Sequence, residues 1–419
     1  MPSSPTQAGK LNVIFVVSWL ICSFFYFIQY ALRSAPSIMM TDIGQALSLD
    51  NTQVASIIGV YFYSYAIFSL VSGILLDRIG PRLVAPLGII LVAVGCLLFG
   101  SGYVFGAYVG RLLQGAGSGL AFTSAVFLAT RGFPKEWLAS AVGVTQCFGM
   151  MGGFMGQAVV SPVINQQWLT WQTFWFVSAA GLALVFMAAL AVTPRTREGK
   201  VDWSNLTAPY VVVLKNPQSY LCALIAAFMF APTNIGDFVW GTQFLEQGLN
   251  VPHDQVALRV AMIPLGWVIG CPILGYLSDF IGRRKPIIFA ALVVMMVSGY
   301  AITAMQLSNT QHYVLGLIFG MASGAAMIPY TVIKEVNPDY VKGTATGVIN
   351  FIVFVFSALM TNVMGLLIHR LAGGAGLSLP VFQQAWVVFL GILILALVLT
   401  CFVKETGSGH TPVVPLEQD

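Results

Sequence analysis

Two similar stretches of sequence decide the fold: Gly73-Ile-Leu-Leu-Asp77-Arg78-Ile-Gly80-Pro-Arg82 and, about 200 residues later, Gly275-Tyr-Leu-Ser-Asp279-Phe-Ile-Gly282-Arg283-Arg284-Lys285. Each stretch follows one long apolar segment and precedes another, so each predicts a short basic turn between two membrane helices. Asp77 and Asp279 lie 202 residues apart, and a second pair of similar sequences, Ala141–Gln146 and Ala345–Asn350, is related by 204 residues. Two matches at nearly one offset indicate an internal repeat, which is typical of transporters whose halves move relative to each other.

The composition also indicates a membrane protein. The chain has 419 residues, of which 58% are hydrophobic and 8% are charged, whereas a soluble domain has about 25% charged residues. Apolar runs of about 20 residues recur along the chain and are long enough to cross a bilayer as helices. The ten-residue alternation of a membrane β-barrel is missing. The class is therefore an all-α integral membrane protein in contact with the lipid bilayer, with no nucleic-acid partner, no metal-ligand spacing and no cofactor motif.

The apolar runs predict twelve transmembrane helices in two six-helix pseudo-symmetric halves. The predicted spans are 11–39, 51–77, 81–101, 104–131, 137–160, 170–193, 217–246, 254–279, 285–306, 311–334, 341–369 and 383–404. The predicted domains are an N-terminal bundle (1–193), a cytoplasmic linker (194–216), a C-terminal bundle (217–404) and a cytoplasmic tail (405–419). Two interpretations of the linker stay open, a helix along the membrane surface and a solvated connection.

Charge placement predicts the orientation. Fifteen of the 19 lysines and arginines fall on one side of the predicted spans, and the opposite side receives only Arg259 and Arg370. By the positive-inside rule both termini are cytoplasmic. The first helix is expected to act as its own insertion signal, because its apolar stretch is too long for the core of a cleaved signal peptide.

The twelve-helix layout, the two repeated turns and the motif Arg111-Leu-Leu-Gln114-Gly115-Ala-Gly117 resemble the major facilitator superfamily over essentially the whole chain. The segments Tyr26–Met39 and Gly149–Gln157 are similar to a proteobacterial branch that includes intraphagosomal amino-acid carriers, with lysosomal dipeptide carriers as more distant relatives. This resemblance implies a monomeric transporter in the bacterial inner membrane.

The resemblance also implies gating residues in the turns, because the family's aspartate joins a charge relay that holds one gate closed. The candidate gating and coupling residues are Asp77, Arg78, Arg82, Arg111, Arg131, Asp279 and Arg283. Arg131 is the expected partner of Asp77. Arg82, Arg284 and Lys285, taken alone, are explained by topology. Arg111 matches a family motif linked to proton transfer, and binding of carbonyl groups in a neighbouring helix explains it equally well.

Arg33 is a candidate solute-binding residue, because an ionisable group at membrane depth is costly. Tyr26, Tyr30 and Arg33 share one helical face, with Gln29 beside them. A guanidinium binds carboxylate or phosphate through two parallel hydrogen bonds. The spacing from Arg33 to Asp77 is similar to that of the substrate-binding arginine in organophosphate antiporters. The competing interpretation is an arginine that reaches the outer headgroups.

Asp237 is the matching candidate in the second half, since the repeat offset of 202 carries Arg33 to position 235. Asn234 and Trp240 flank it. Two interpretations stay open: a zwitterion site, with a carboxylate on Arg33 and an ammonium on Asp237, and an Arg33–Asp237 ion pair that closes the outer gate. Asp237 is also the leading proton carrier if transport is proton-coupled. Gln114, Gln146, Gln157, Asn350 and Asn362 are further candidates for hydrogen bonds in the cavity.

The sequence thus predicts a secondary transporter that moves an amino acid, dipeptide or similar zwitterion by alternating access, as a symporter if protons are coupled. An organic-anion or organophosphate carrier is the alternative. Drug efflux is disfavoured, because the fifth helix lacks the family's Gly-Pro pair. An enzyme is disfavoured because the four histidines fall in predicted loops, tails or helix ends and no catalytic motif is found. A transport-inactive nutrient sensor is the third class, and the short tail argues against it.

Overall fold

The computed structural model describes residues 12–133, 135–195, 207–338, 341–373 and 376–407, and a few side chains within these ranges are outside the description. Within them, twelve helical segments are long and apolar enough to cross a membrane, and no residue is in a β-strand. The prediction of an all-α fold with twelve transmembrane helices is confirmed. Most of the predicted linker, at 196–206, and the tail from 408 onward lie outside the described residues.

The first half contains six membrane helices. These are α1 (Val13–Ser34), α2 (Asn51–Ile79), α3 (Pro81–Phe99), α4 (Val104–Gly119, continued by Ala121–Gly132), α5 (Lys135–Ala158, continued by Val160–Asn165) and α6 (Trp171–Val192). A 3₁₀ turn, Ala35–Ser37, and a short helix, Met40–Leu47, connect α1 to α2.

The second half repeats this order. Its helices are α7 (Pro217–Ala231, continued by Pro232–Asp237), α8 (His253–Ile281), α9 (Lys285–Ala304), α10 (Asn309–Ser323, Gly324–Met327 and Ile328–Glu335), α11 (Lys342–Ala372) and α12 (Leu379–Phe402). Ala208–Lys215 is a short helix before α7, and its Tyr210 hydroxyl donates to the Leu70 carbonyl in α2 at 3.1 Å.

Backbone conformation explains why glycine recurs at the same place in the two turns. Gly80 ends α2 with φ 78°, and Gly282 ends α8 with φ 68°. Positive φ is costly for residues that carry a Cβ, so glycine is the usual residue after a helix that stops abruptly. Pro81 then begins α3 at a position where its missing N–H costs nothing. The repeat therefore fixes the two short turns that hold α2 against α3 and α8 against α9.

The two halves pack together at one end of the bundle, and the repeated turns lie at the other. At the end opposite the repeated turns, Asn362 donates to the Tyr63 hydroxyl at 2.8 Å, and a Cβ added at Gly59 would lie 2.6 Å from Cγ2 of Thr361. At the end that carries the turns, hereafter the basic end, a Cβ added at Gly73 or Gly275 would meet no described atom within 4 Å. The turn glycines therefore have open space beside them at the basic end, and we call the opposite end, where the halves pack together, the far end.

α7 is irregular where the sequence predicts one continuous helix from 217 to 246. Pro232–Asp237 is π-helical, with the Phe238 N–H donating to the Thr233 carbonyl at 2.9 Å and the Trp240 N–H to the Ile235 carbonyl at 3.1 Å. Pro232 lacks the N–H that a regular helix would use, which favours the wider turn. Since π turns in helices are frequent at functional sites, functional residues of α7 are expected in this segment.

Candidate functional site

A small central cavity lies between the halves and is lined from both of them. The cavity volume is about 10 Å³, which is room for about one water molecule. Its lining consists of aromatic rings and amides with one methionine: Tyr26, Tyr30, Tyr65, Phe122, Gln146, Phe230, Met327, Tyr330, Asn350 and Phe354. An organic solute fits there only when the walls move apart, so the site is constricted in this conformation.

The aromatic face of α1 reaches this cavity as the sequence predicts. The Tyr26 hydroxyl contacts the Tyr30 hydroxyl at 3.2 Å and Oε1 of Gln146 at 3.2 Å. The two rings meet edge to face, with centroids 4.9 Å apart. Gln29 does not line the cavity. Its Oε1 accepts a hydrogen bond from Tyr61 in α2 at 2.8 Å.

Arg33 is buried directly behind the cavity wall. Its side chain is 1% exposed, so it does not reach the surface. The guanidinium carbon lies 3.8 Å from the centroid of the Tyr30 ring and 5.1 Å and 5.9 Å from the rings of Phe238 and Phe354. None of its three nitrogens has a hydrogen-bond partner among the described residues. Aromatic faces attract the cation, but they leave every N–H donor unused.

Asp237 is buried in the π turn of α7 and does not pair with Arg33 in this conformation. It is 4% exposed, and its Oδ2 has no hydrogen-bond partner among the described residues. Arg33 and Asp237 are 204 residues apart, the same offset that relates the cavity residues Gln146 and Asn350. The two halves therefore present opposite charges at equivalent positions, and the predicted gate ion pair has no counterpart in this state.

Asn234 and Trp240 lie beside Asp237 but outside the cavity lining. Asn234 donates to the Ser357 hydroxyl in α11 at 3.2 Å. Trp240 is 3% exposed, and its indole N–H has no acceptor among the described residues. The predicted solute-binding set is thus divided, with Tyr26 and Tyr30 on the cavity, Arg33 behind its wall and the other members further away.

Arg111 is equally buried, but two of its three guanidinium nitrogens have hydrogen-bond partners, and only Nε lacks one among the described residues. Its guanidinium donates to the carbonyls of Leu32 at 3.4 Å and Ile58 at 3.3 Å and to Oε1 of Gln114 at 2.7 Å. These bonds tie α4 to α1 and α2 within the first half. They support the carbonyl-binding interpretation of Arg111.

At the basic end, Arg284 rather than Arg283 makes the ion pairs at the place where the resemblance implies the charge relay of the second half. Arg284 donates to Asp279 at 2.5 Å and to Glu335, at the end of α10, at 2.8 Å. Burial alone would lower the pKa of Arg284, but the hydrogen bonds to Glu335 and Asp279 outweigh that effect and raise it. The Glu405 carboxylate accepts the backbone N–H groups of Arg284 and Lys285 at the start of α9.

The equivalent relay of the first half is only partly described. The side chains of Asp77 and Arg78 lie outside the described residues, so their gating roles and the Asp77–Arg131 pair stay predictions. Arg131 lies over the Phe127 ring, 4.1 Å from its centroid. Arg82 donates to the Thr193 carbonyl at 3.3 Å, which ties α3 to the end of α6.

One residue of the cavity lining that is not in the predicted site, Phe230, could have been predicted from the internal repeat. Phe230 lies 204 residues after Tyr26, at the same offset as Gln146 and Asn350. The repeat offset, applied to Tyr26 of α1, therefore predicts Phe230 as its counterpart in the second half. Tyr330 and Phe354 carry no such signal, because they stand among 14 tyrosines and 29 phenylalanines.

The family model for the Major Facilitator Superfamily matches residues 22–361. The chain therefore belongs to this superfamily, and it is a multi-pass integral membrane transporter, not an enzyme. Among curated relatives, the hexuronate transporter of Bacillus subtilis (strain 168) is 25% identical over 352 residues, covering 78% of this chain and 81% of the relative. The phosphoglycerate transporter protein of Salmonella typhimurium is 23% identical over 404 residues, covering 84% and 83%.

The fold is also that of solved transporters. The crystal structure of a bacterial homolog of the human lysosomal transporter Spinster, in an inward-facing and occupied conformation, aligns with a TM-score of 0.75 at 17% identity. The alignment covers 94% of this chain and 97% of that chain. At this identity the likeness concerns the fold alone, and it confirms the predicted arrangement of two six-helix halves.

Proposed function

We propose that this protein carries a small organic anion across the membrane by alternating access, with Arg33 as the anion-binding group. The observation that carries this proposal is a guanidinium that is 1% exposed, lies behind the central cavity and has no hydrogen-bond partner on any nitrogen in the part of the chain that the structure describes. A buried charge without a partner is strongly unfavourable. A solute carboxylate would satisfy two of its donors at once.

The relatives support an anion over the zwitterion that the proteobacterial resemblance implies. Two curated relatives, each aligned over more than three quarters of this chain, are named for a hexuronate and for phosphoglycerate, and both of these solutes are anions. Their identities of 25% and 23% make this support for a class of solute only. The organic-anion alternative therefore becomes the leading interpretation.

The access path follows from the shape of the bundle. The halves pack together at the far end, whereas Gly73 and Gly275 have open space beside them at the basic end, so we take the basic end as the side from which the cavity is reached. If the positive-inside rule holds, this end is cytoplasmic and the conformation is inward-facing. Both termini are then cytoplasmic, and we propose the bacterial inner membrane as the location, as the proteobacterial resemblance implies. We take the working unit to be a monomer, because one chain supplies both halves of the cavity.

A zwitterion remains the second candidate because of Asp237. Its carboxylate is buried without a hydrogen-bond partner on Oδ2, at the position equivalent to Arg33. Such a group could bind an ammonium or take up the coupled proton. Asp237→Asn separates the possibilities in uptake assays at two external pH values. A zwitterion site loses binding, a proton site loses only the pH dependence of uptake, and a structural residue changes neither.

The main test is uptake of organic anions into proteoliposomes by wild type, Arg33→Gln and Arg33→Lys. We expect Arg33→Gln to lower uptake roughly 100-fold, since two hydrogen bonds between charged groups are lost. Arg33→Lys should keep a part of the uptake, because it retains the charge without the fork. Arg370→Gln, at an exposed site near the end of α11, is the matched control and should transport normally. Normal anion uptake by Arg33→Gln would reject the proposal, and absence of uptake of any solute by wild type would favour a sensor.

A further inference from the structure

Two side-chain amides face each other across the central cavity. Gln146 comes from α5 and Asn350 from α11, and the internal repeat relates them. The Tyr26 hydroxyl donates to Oε1 of Gln146 at 3.2 Å, and the Tyr330 hydroxyl donates to Oδ1 of Asn350 at 2.8 Å. Each amide oxygen is therefore held by a tyrosine from its own half.

The nitrogens of these amides are left for a ligand. No described residue accepts a hydrogen bond from the nitrogen of Gln146 or Asn350. Neither nitrogen is among the fully buried groups that lack a partner, so both remain accessible from the cavity. Each half thus offers one NH₂ group, and an NH₂ group donates two hydrogen bonds to oxygen acceptors.

The charges around the cavity suit a solute with one negative charge. Arg33 is the unpaired cation behind its wall, whereas Arg111 is used by Leu32, Ile58 and Gln114. At the position that the repeat makes equivalent to Arg33, the second half has an acid, Asp237, and not a second arginine. A dianion would therefore bring an uncompensated negative charge into a buried site, which is strongly destabilising.

We propose that the solute is a small monocarboxylate that bears hydroxyl or carbonyl oxygens, and that Gln146 and Asn350 recognise those oxygens. This inference rests on the proposed function, because Arg33 must bind the carboxylate. A site built to hydrogen-bond a solute oxygen rejects the analogue that lacks it, since its buried donors are then left unpaired. The two amides belong to different halves, so a solute that binds both also draws the halves together around itself.

The test is equilibrium binding to the purified full-length protein with two sets of anions matched in carbon number. The three-carbon set is glycerate, propionate and tartronate, and the six-carbon set is gluconate, hexanoate and glucarate. In each set the first is an oxygenated monoanion, the second lacks the hydroxyl groups and the third is a dianion. In at least one set we expect the first to bind at least tenfold more tightly than the other two, which corresponds to roughly one to two lost hydrogen bonds.

The variants then assign this preference to the amides. Gln146→Leu and Asn350→Leu should each reduce the preference for the oxygenated anion over its plain analogue about tenfold, and Gln146→Asn should restore part of it. Gln383→Leu is the matched control and should keep the wild-type preference. The Gln383 amide donates to the Thr303 carbonyl at 3.0 Å between α9 and α12, away from the cavity. Thermal unfolding of each variant without ligand checks that it is folded.

The outcomes separate this inference from the proposed function. An unchanged preference in both leucine variants would overturn the role of the amides. Tartronate or glucarate binding as tightly as the monoanions would overturn the charge argument and leave an organic-anion carrier in place. If wild type binds none of the six anions, the proposed function itself fails.

Discussion

Arg33 and Arg111 are two buried arginines in the same half with opposite hydrogen-bonding situations. They are 1% and 0% exposed, and each lies over a tyrosine ring, Tyr30 at 3.8 Å and Tyr61 at 4.7 Å from the centroid. Arg111 donates three hydrogen bonds to fixed acceptors, and Arg33 donates none to any residue that the structure describes. Burial and an aromatic contact are therefore not enough to recognise a binding residue.

The unmet hydrogen bonds distinguish the two arginines. A buried cation with acceptors on most of its donors stabilises the fold, because the carbonyl and amide oxygens compensate for lost water. A buried cation without acceptors lowers the stability of the unloaded protein, and a ligand that supplies the acceptors recovers that free energy. The comparison predicts opposite stability effects when each arginine is removed.

The largest effect is expected for Arg111→Met. The substitution leaves the Leu32 and Ile58 carbonyls and the Gln114 amide without their donor, at a cost of about 3 kcal/mol in stability. Thermal unfolding of the purified variant in detergent measures the loss. Arg111→Lys should lie between wild type and Arg111→Met, because an ammonium cannot reach all three acceptors in the geometry of the fork. Wild-type stability of Arg111→Met would show that these hydrogen bonds contribute nothing.

Arg33→Met should change stability in the opposite direction. Replacing an unpaired buried charge with an apolar side chain of similar length removes the desolvation penalty, so we expect the unloaded protein to gain about 1–2 kcal/mol. The same thermal unfolding assay measures the gain, and stabilisation by added organic anion should disappear. A loss of stability as large as that of Arg111→Met would mean that Arg33 is a structural residue, and the comparison between the two arginines would fail.

A smaller effect is expected for Tyr61→Phe, which keeps the ring under Arg111 and removes one hydrogen bond. The Tyr61 hydroxyl donates to Oε1 of Gln29 at 2.8 Å, so its loss should cost about 1 kcal/mol. Tyr61→Leu removes the cation–π contact as well and should cost about 1 kcal/mol more. Equal stability of the two variants would show that the Tyr61 ring stabilises the fold only by filling space. The cation–π contacts of Arg111 and Arg33 would then contribute no measurable free energy.

The fold and α1 were predictable from sequence for a simple reason. The spacing of apolar runs gives the helices, and residues 26, 30 and 33 share a face because they belong to one helix. Tyr330 and Phe354 meet that face only through packing between α10, α11 and α1, which no single-helix pattern contains. The Arg33–Asp237 ion pair, one of the two interpretations that the sequence left open, is not formed in this conformation, because the repeat gives equivalent positions without giving the distance between them in one state.

The choice between adjacent arginines in the second turn was likewise beyond the sequence. Arg283 and Arg284 are consecutive residues after Gly282, and it is Arg284 that contacts Asp279 and Glu335. Only the position of α10 relative to that turn selects Arg284. The glycine itself was readable from the repeat, but the direction of the side chains after it was not.

The smallest effect is expected for Arg284→Gln at the basic end. Its partners Asp279 and Glu335 are 69% and 29% exposed, so solvent screens these ion pairs and their loss should cost less than about 1 kcal/mol. The measurement is thermal unfolding at low and high salt, and the small difference between wild type and variant should shrink further as salt rises. Lys285→Gln is the control, because its ammonium donates to the Cys401 carbonyl and not to the relay. A loss as large as that of Arg111→Met would mean that the ion pairs of Arg284 stabilise the second half as strongly as the hydrogen bonds of Arg111 stabilise the first. The stability difference would then depend on which half an arginine belongs to, and not on whether it is buried with its acceptors.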